Sequence, residues 1–152
     1  MPLCPPRDAG NRVIPHDDEA IINEGYVVRH INPEAHLCPD ENTGGMRIST
    51  GAYHPTREPN GGVSVDLGQE LLAAGLALGG MVQQGMGAVR IRVADVRAKT
   101  LWVGSDPIVA EKPPERDNPY HGQIWRCSKK TPRDLFRMAE DWVVPLPGIA
   151  LR

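Results

Sequence analysis

Ala88-Val89-Arg90-Ile91-Arg92-Val93-Ala94-Asp95-Val96 is the stretch on which the fold turns. Val89, Ile91 and Val93 recur at every second residue and Arg90 and Arg92 fill the gaps, so 88–96 reads as a strand with one apolar and one polar face. Such half-wetted alternation fits a mostly antiparallel or mixed sheet.

Upstream, the apolar run 71–82 is interrupted by Gly75, Gly79 and Gly80. It reads as a buried helix over about 67–84, with Asp66 as its N-cap and Gln69 at capping-box spacing. Three further strands precede it. Residues 25–31 are β-branched and stopped by Asn32-Pro33, 46–53 alternate until His54-Pro55, and 63–65 follow the turn around Asn60-Gly61-Gly62. Downstream, 104–119 is a proline-rich loop and 121–127 a fifth strand. Thr131-Pro132-Arg133-Asp134 opens a C-terminal helix over about 132–143, whose stripe includes Phe136 and Trp142. The expected order is β-β-β-α-β-β-α: one α+β domain over 25–144, an irregular arm over 1–24 and a tail over 145–152.

The composition narrows the class of protein. A chain of 152 residues with 40% hydrophobic and 24% charged residues matches one globular domain. A net charge of −2 supplies no pull towards nucleic acid or an anionic membrane, so neither is an expected partner. The apolar run 71–82 is too short to span a bilayer. Cys4, Cys38 and Cys127 are odd in number and far apart, which points to reduced thiols and a cytoplasmic location.

Candidate chemistry is sparse. Asp117-Asn118-Pro119-Tyr120-His121-Gly122 delivers a histidine to the start of a strand, and His121 is the candidate acid or base. Arg29, His30, Ser49, Thr50, Tyr53 and Asn118 are candidate ligand-binding residues, on the expectation that strands 25–31 and 46–53 pair and flank a cleft closed by His121. Arg90 and Arg92, with Arg97 and Lys99 beyond, form a basic stripe that reads as a solvated sheet face paired with acids. His36-Leu37-Cys38 lacks the paired spacing of a zinc site, and no metal is expected. Cys127, beside Lys129-Lys130, reads as a part-buried structural cysteine.

Four fragments in order resemble a family of small, uncharacterised bacterial proteins met among conflict and defence genes. They are Val27-Val28-Arg29-His30-Ile31-Asn32-Pro33, Ala52-Tyr53-His54-Pro55, Gly61-Gly62-Val63-Ser64-Val65-Asp66, and Asp106-Pro107 followed by Asn118-Pro119-Tyr120-His121. The resemblance spans about residues 25–126; the chain departs from it in a longer 106–118 loop and an added C-terminal segment. A looser similarity is to ADP-ribosyltransferase-like folds, in which Arg29 and Ser49-Thr50 would grip a dinucleotide. The glutamate pair those enzymes use has no counterpart here.

Two functions follow as expectations. The first is a non-catalytic accessory protein of a bacterial defence or toxin-associated locus, without cofactor, binding a protein encoded nearby through Trp142 and Leu146. The alternative is a small nucleotide-handling enzyme with an ADP-ribosyltransferase-like cleft, for which NAD or another nucleotide is the implied ligand.

Overall fold

In a computed structural model, which describes residues 3–152, strand β1 (Tyr26–Ile31) lies near the centre of a six-stranded sheet. Its neighbours are β4 (Val63–Leu67) and β5 (Gly87–Arg92), both antiparallel to it. Beyond β4 lie β7 (His121–Trp125) and then β6 (Trp102–Ser105), and β8 (Asp141–Val144) closes the other edge. A second sheet of three strands joins β2 (Leu37–Pro39), β3 (Met46–Ile48) and β9 (Ile149–Ala150). The protein is a single α+β domain with one more strand in the main sheet than the sequence implied.

Alternation along the strands divides the main sheet into two faces. Val27, Ile31, Val63, Val65, Leu67, Val89, Ile91 and Ile124 are almost fully buried in the main core. Helix α3 (Thr131–Met138) and the 3-10 turn Thr50–Tyr53 pack over them, with the Tyr53 and Phe136 rings edge to face. The opposite face carries Val28, His30, Ser64, Asp66, Arg90, Arg92 and His121. It is partly covered by α1 (Gly68–Ala73), the segment 74–86 and the loop 106–120.

Several expected boundaries move, each for a local reason. Strands 25–31 and 46–53 do not pair: β3 ends at Ile48 and belongs to the small sheet, while β1 is flanked by β4 and β5. The helix expected over 67–84 stops at Ala73. Gly75 adopts φ +78, Gly75 N donates to Leu72 O and Leu76 N to Leu71 O, a Schellman closure open chiefly to glycine. Asp66 is no cap; it is a strand residue whose carboxylate faces β1.

Strand 88–96 ends at Arg92, and α2 (Val93–Ala98) begins where Val93 N and Ala94 N turn to Gly25 O and Asn23 O. The C-terminal helix ends at Met138 instead of residue 143. Glu140 N donates to Arg90 O, and the β-branched pair Val143-Val144 continues as edge strand β8.

The ends of the chain are tied to the domain. Arg97, read as part of a basic stripe, donates to Ile21 O, Asp18 O and Asn23 Oδ1 and pairs with Asp17 at 3.1 Å, which clasps the arm. Residues 1 and 2 of the expected arm lie outside the described residues. Residues 145–152 include β9, parallel to β3. Among the described residues no helix is long and apolar enough to cross a membrane.

Candidate active site

Three adjacent strands bring the polar groups together. The register sets Val28 against Asp66 and Asp66 against His121, so β1, β4 and β7 present one row of side chains on the same face. His30 lies two residues beyond Val28 and therefore shares that face. Asp66 is 1% exposed, and such a carboxylate needs partners. It has them: Oδ2 receives His30 Nε2 at 2.6 Å, and Oδ1 accepts from Asn118 Nδ2 at 2.8 Å.

The loop before β7 is shaped by its own side chains. Asn118 Oδ1 accepts Tyr120 N, a local turn that sets the backbone, while Ile108 and Asn118 exchange both backbone hydrogen bonds. Asp117 Oδ1 accepts Ala110 N. These bonds hold the 106–120 loop over the strand ends. His121 Nδ1 lies 2.7 Å from Asp106 O. A carbonyl oxygen only accepts, so Nδ1 carries the hydrogen, and in the neutral ring Nε2 keeps a lone pair. The Asp106 carboxylate stands back at 3.9 Å from that ring and accepts Gln123 Nε2 at 2.9 Å.

Two hollows of about 180 and 200 Å³ share His30, Ile108 and Asn118 as walls. Arg29, Ser64, Val65, Asp66 and His121 complete the first; Gly80, Met81, Val82, Gln83 and Arg116 complete the second. His30 and His121 thus reach one cleft, each with one ring nitrogen held by the fold. Neither remaining nitrogen has a partner among the described residues. That arrangement can take a proton at one imidazole and return it from the other. Ser64 borders the same cleft, but no hydrogen bond joins its hydroxyl to His30. Larger hollows lie elsewhere. One of about 570 Å³ is bounded by Arg7, Arg12, Glu58, Asn60 and Trp125, and one of about 640 Å³ by His54, Cys127 and Lys129. We place the site in the smaller cleft because size alone supplies no acid–base pair.

The sequence candidates divide cleanly. His30, Asn118 and His121 meet at the cleft. Arg29 borders it, but its side chain leaves on the opposite face: Nε donates to Ala52 O and Nη1 to Ser64 O, both at 2.8 Å. Burial pulls its pKa below the usual arginine value. It braces β1 to β4 and to the 3-10 turn.

Ser49, Thr50 and Tyr53 are absent from the walls of both hollows. Ser49 N donates to His36 O, and Thr50 opens the turn that carries Tyr53 into the core. There burial pushes the Tyr53 phenol well above its usual range, against the smaller opposing pull of the Arg29 and Arg152 charges.

Trp142 and Leu146 pack onto their own domain. A Cβ at Gly87 would meet Leu146 Cγ at 2.7 Å and Trp142 Cζ3 at 3.0 Å, so β5 needs glycine there. Burial raises the Cys127 thiol, only partly offset by hydrogen bonds at Val63 and Thr131, which disfavours a thiolate nucleophile. Among the described residues no group of three or more His, Cys, Asp or Glu side chains is placed to hold a metal ion.

Asp66, Asp106 and Arg116 are the site residues that sequence reasoning missed. Asp66 had a visible signal, since it follows Ser64 by two in a β-branched run and so shares its strand face. Comparison with protein families, curated proteins and solved structures finds no match for this chain.

Proposed function

We propose that this protein is a small nucleotide-handling enzyme working by acid–base chemistry in the cleft of His30, Asp66, Asn118 and His121. One observation carries the reading: two imidazoles line one cleft, each with one nitrogen held by a protein acceptor and the other unspent. Asp66 orients His30 and offsets its charge when protonated, as the carboxylate of a histidine–aspartate pair does. Asn118 holds Asp66 from the other side. His121 is the second proton-transfer group. Arg29 no longer belongs to the ligand set.

The test is a thermal-shift scan of the whole chain against nucleotides and dinucleotides, NAD among them. A ligand at a hundred times its dissociation constant raises stability by about 2.7 kcal/mol. The expected result is a shift that disappears in His30→Ala and His121→Ala, each shown to be folded by circular dichroism. A shift retained in both variants would place the ligand elsewhere.

A partner-binding role within a bacterial defence or toxin-associated locus is the second reading. What favours it is the exposure of Ile22 (51%) and Leu72 (59%), next to the bond between Ile22 N and Gln69 Oε1. Trp142 and Leu146, engaged with their own domain, lend it no support. A flat nucleotide scan, together with capture of a neighbour-encoded protein lost in Leu72→Ser, would favour this reading over the first.

A further inference from the structure

Resting on the acid–base reading of the cleft, we infer that its substrate is a phosphate ester and that Arg116 receives the phosphoryl charge. The carboxylates near the cleft already have hydrogen-bond partners. Asp66 is occupied by His30 and Asn118, Asp106 by Gln123, and Asp117 by the Ala110 amide. Arg116 makes no hydrogen bond or ion pair with any described residue, yet it lines the hollow that continues from His30. The groups beside these hollows that keep donors to spare include the Arg116 guanidinium and the two imidazoles, whose N–H groups suit phosphoryl oxygens, while the Asp66 and Asp106 carboxylates remain charged nearby.

The same set suits displacement at phosphorus. A guanidinium offers a planar fork to phosphate oxygens, and phosphoryl transfer asks chiefly for positioning and charge stabilisation. In hydrolysis of a phosphodiester, a water oxygen bonds to phosphorus while His121 takes the water's proton at Nε2. The bond from phosphorus to the ester oxygen breaks, and protonated His30 gives its Nδ1 proton to the departing oxygen. The products are a phosphomonoester and an alcohol; one imidazole has gained the proton the other has lost. In this assignment His30 is the acid, its Nε2 held by Asp66, and His121 is the base, its Nδ1 held by Asp106 O with the Asp106 carboxylate 3.9 Å away. Arg116 holds the non-bridging oxygens throughout.

The test uses the whole chain with bis(4-nitrophenyl) phosphate and 2′,3′-cyclic nucleotides as phosphodiesters, 4-nitrophenyl acetate as a carboxyl ester, and inorganic phosphate as a binding probe. The expected result is phosphodiester turnover reduced at least about 100-fold in His30→Gln and in His121→Gln. Arg116→Ala, an exposed change, should raise KM about tenfold with kcat less affected, and should abolish the thermal shift given by phosphate. If the acetate ester alone is turned over, with loss in both histidine variants, the acid–base cleft stands and the phosphate inference falls. It falls equally if Arg116→Ala binds phosphate and turns over phosphodiesters as the unaltered protein does. No turnover of either ester and no shift with phosphate or any nucleotide would overturn both readings together.

Discussion

The polar face of the main sheet has two ends that look alike in sequence and differ in what they leave unspent. At the β5–β8 edge, Arg90 and Arg92 stack on the Tyr26 ring at 4.8 and 4.7 Å and share the Glu140 carboxylate at 2.9 and 3.7 Å. Arg90 Nε is buried there without a hydrogen-bond partner. These side chains are about a third exposed, and the cluster satisfies itself in water's reach. At the β1–β4–β7 end, Asp66 is buried and fully bonded, while the two imidazoles near it line one cleft and each keep one nitrogen without a protein partner. Charge density does not tell the two ends apart. What distinguishes the second is a buried carboxylate that is fully bonded and two imidazoles beside one hollow, each with one nitrogen held by the fold and the other without a protein partner.

The largest effect that would break this comparison belongs to Asp66. Asp66→Ala removes the acceptor of both His30 and Asn118 in a buried position and should cost about 3 kcal/mol or more, read by denaturant unfolding. A loss below about 1 kcal/mol, the range of exposed pairs, would make this end no different from the edge.

Arg29 is the next test, because it sits beside His30 in sequence and on the other face. Arg29→Met should cost about 2 kcal/mol through the loss of its bonds to Ala52 O and Ser64 O. The nucleotide-dependent thermal shift should survive; losing it in a protein that remains folded would return Arg29 to the ligand set.

Glu140→Ala should change stability by less than about 1 kcal/mol, and less still in high salt, as expected of an exposed pair.

The smallest effect concerns a histidine that the fold uses up. His36 Nδ1 accepts Asn32 N, and burial followed by the Arg29 charge lowers its pKa below the usual 6.5. The unfolded chain therefore binds a proton that the folded chain refuses. The stability contribution is complete above about pH 6.5 and is lost as pH falls through the lowered folded value. Unfolding titrations of the unaltered protein and His36→Gln should diverge as pH falls from 7, the unaltered protein losing more. Parallel curves would mean that burial does not disfavour the charged form of His36.

Much of the fold was legible from local pattern. The β-branched runs at 26–31, 63–67 and 121–125 form strands near where their alternation put them, and the Thr131-Pro132 start of the last helix is where the chemistry of that turn placed it. Element ends were less legible. Gly75 reads equally as a tolerated break inside a helix and as its left-handed stop, and only the bonds to Leu71 and Leu72 decide. Trp142 completes a helical stripe on paper, but pairing with Val89 recruits it to β8, since a nearby strand edge outweighs a weak helical preference.

The candidate site followed the same rule. Sequence by itself determined that His30 and His121 stand on strands, that Asn118 turns the chain into β7, and that Arg29 and His30 must leave β1 on opposite faces. It did not determine which strands are neighbours. Pairing of β1 with β4 and of β4 with β7, contacts across 38 to 61 residues of chain, put Asp66 between His30 and His121 and sent Arg29 into the core. Side-chain direction is a local property of the backbone, whereas the partner a side chain meets depends on long-range pairing, and that is the part only the tertiary structure decides.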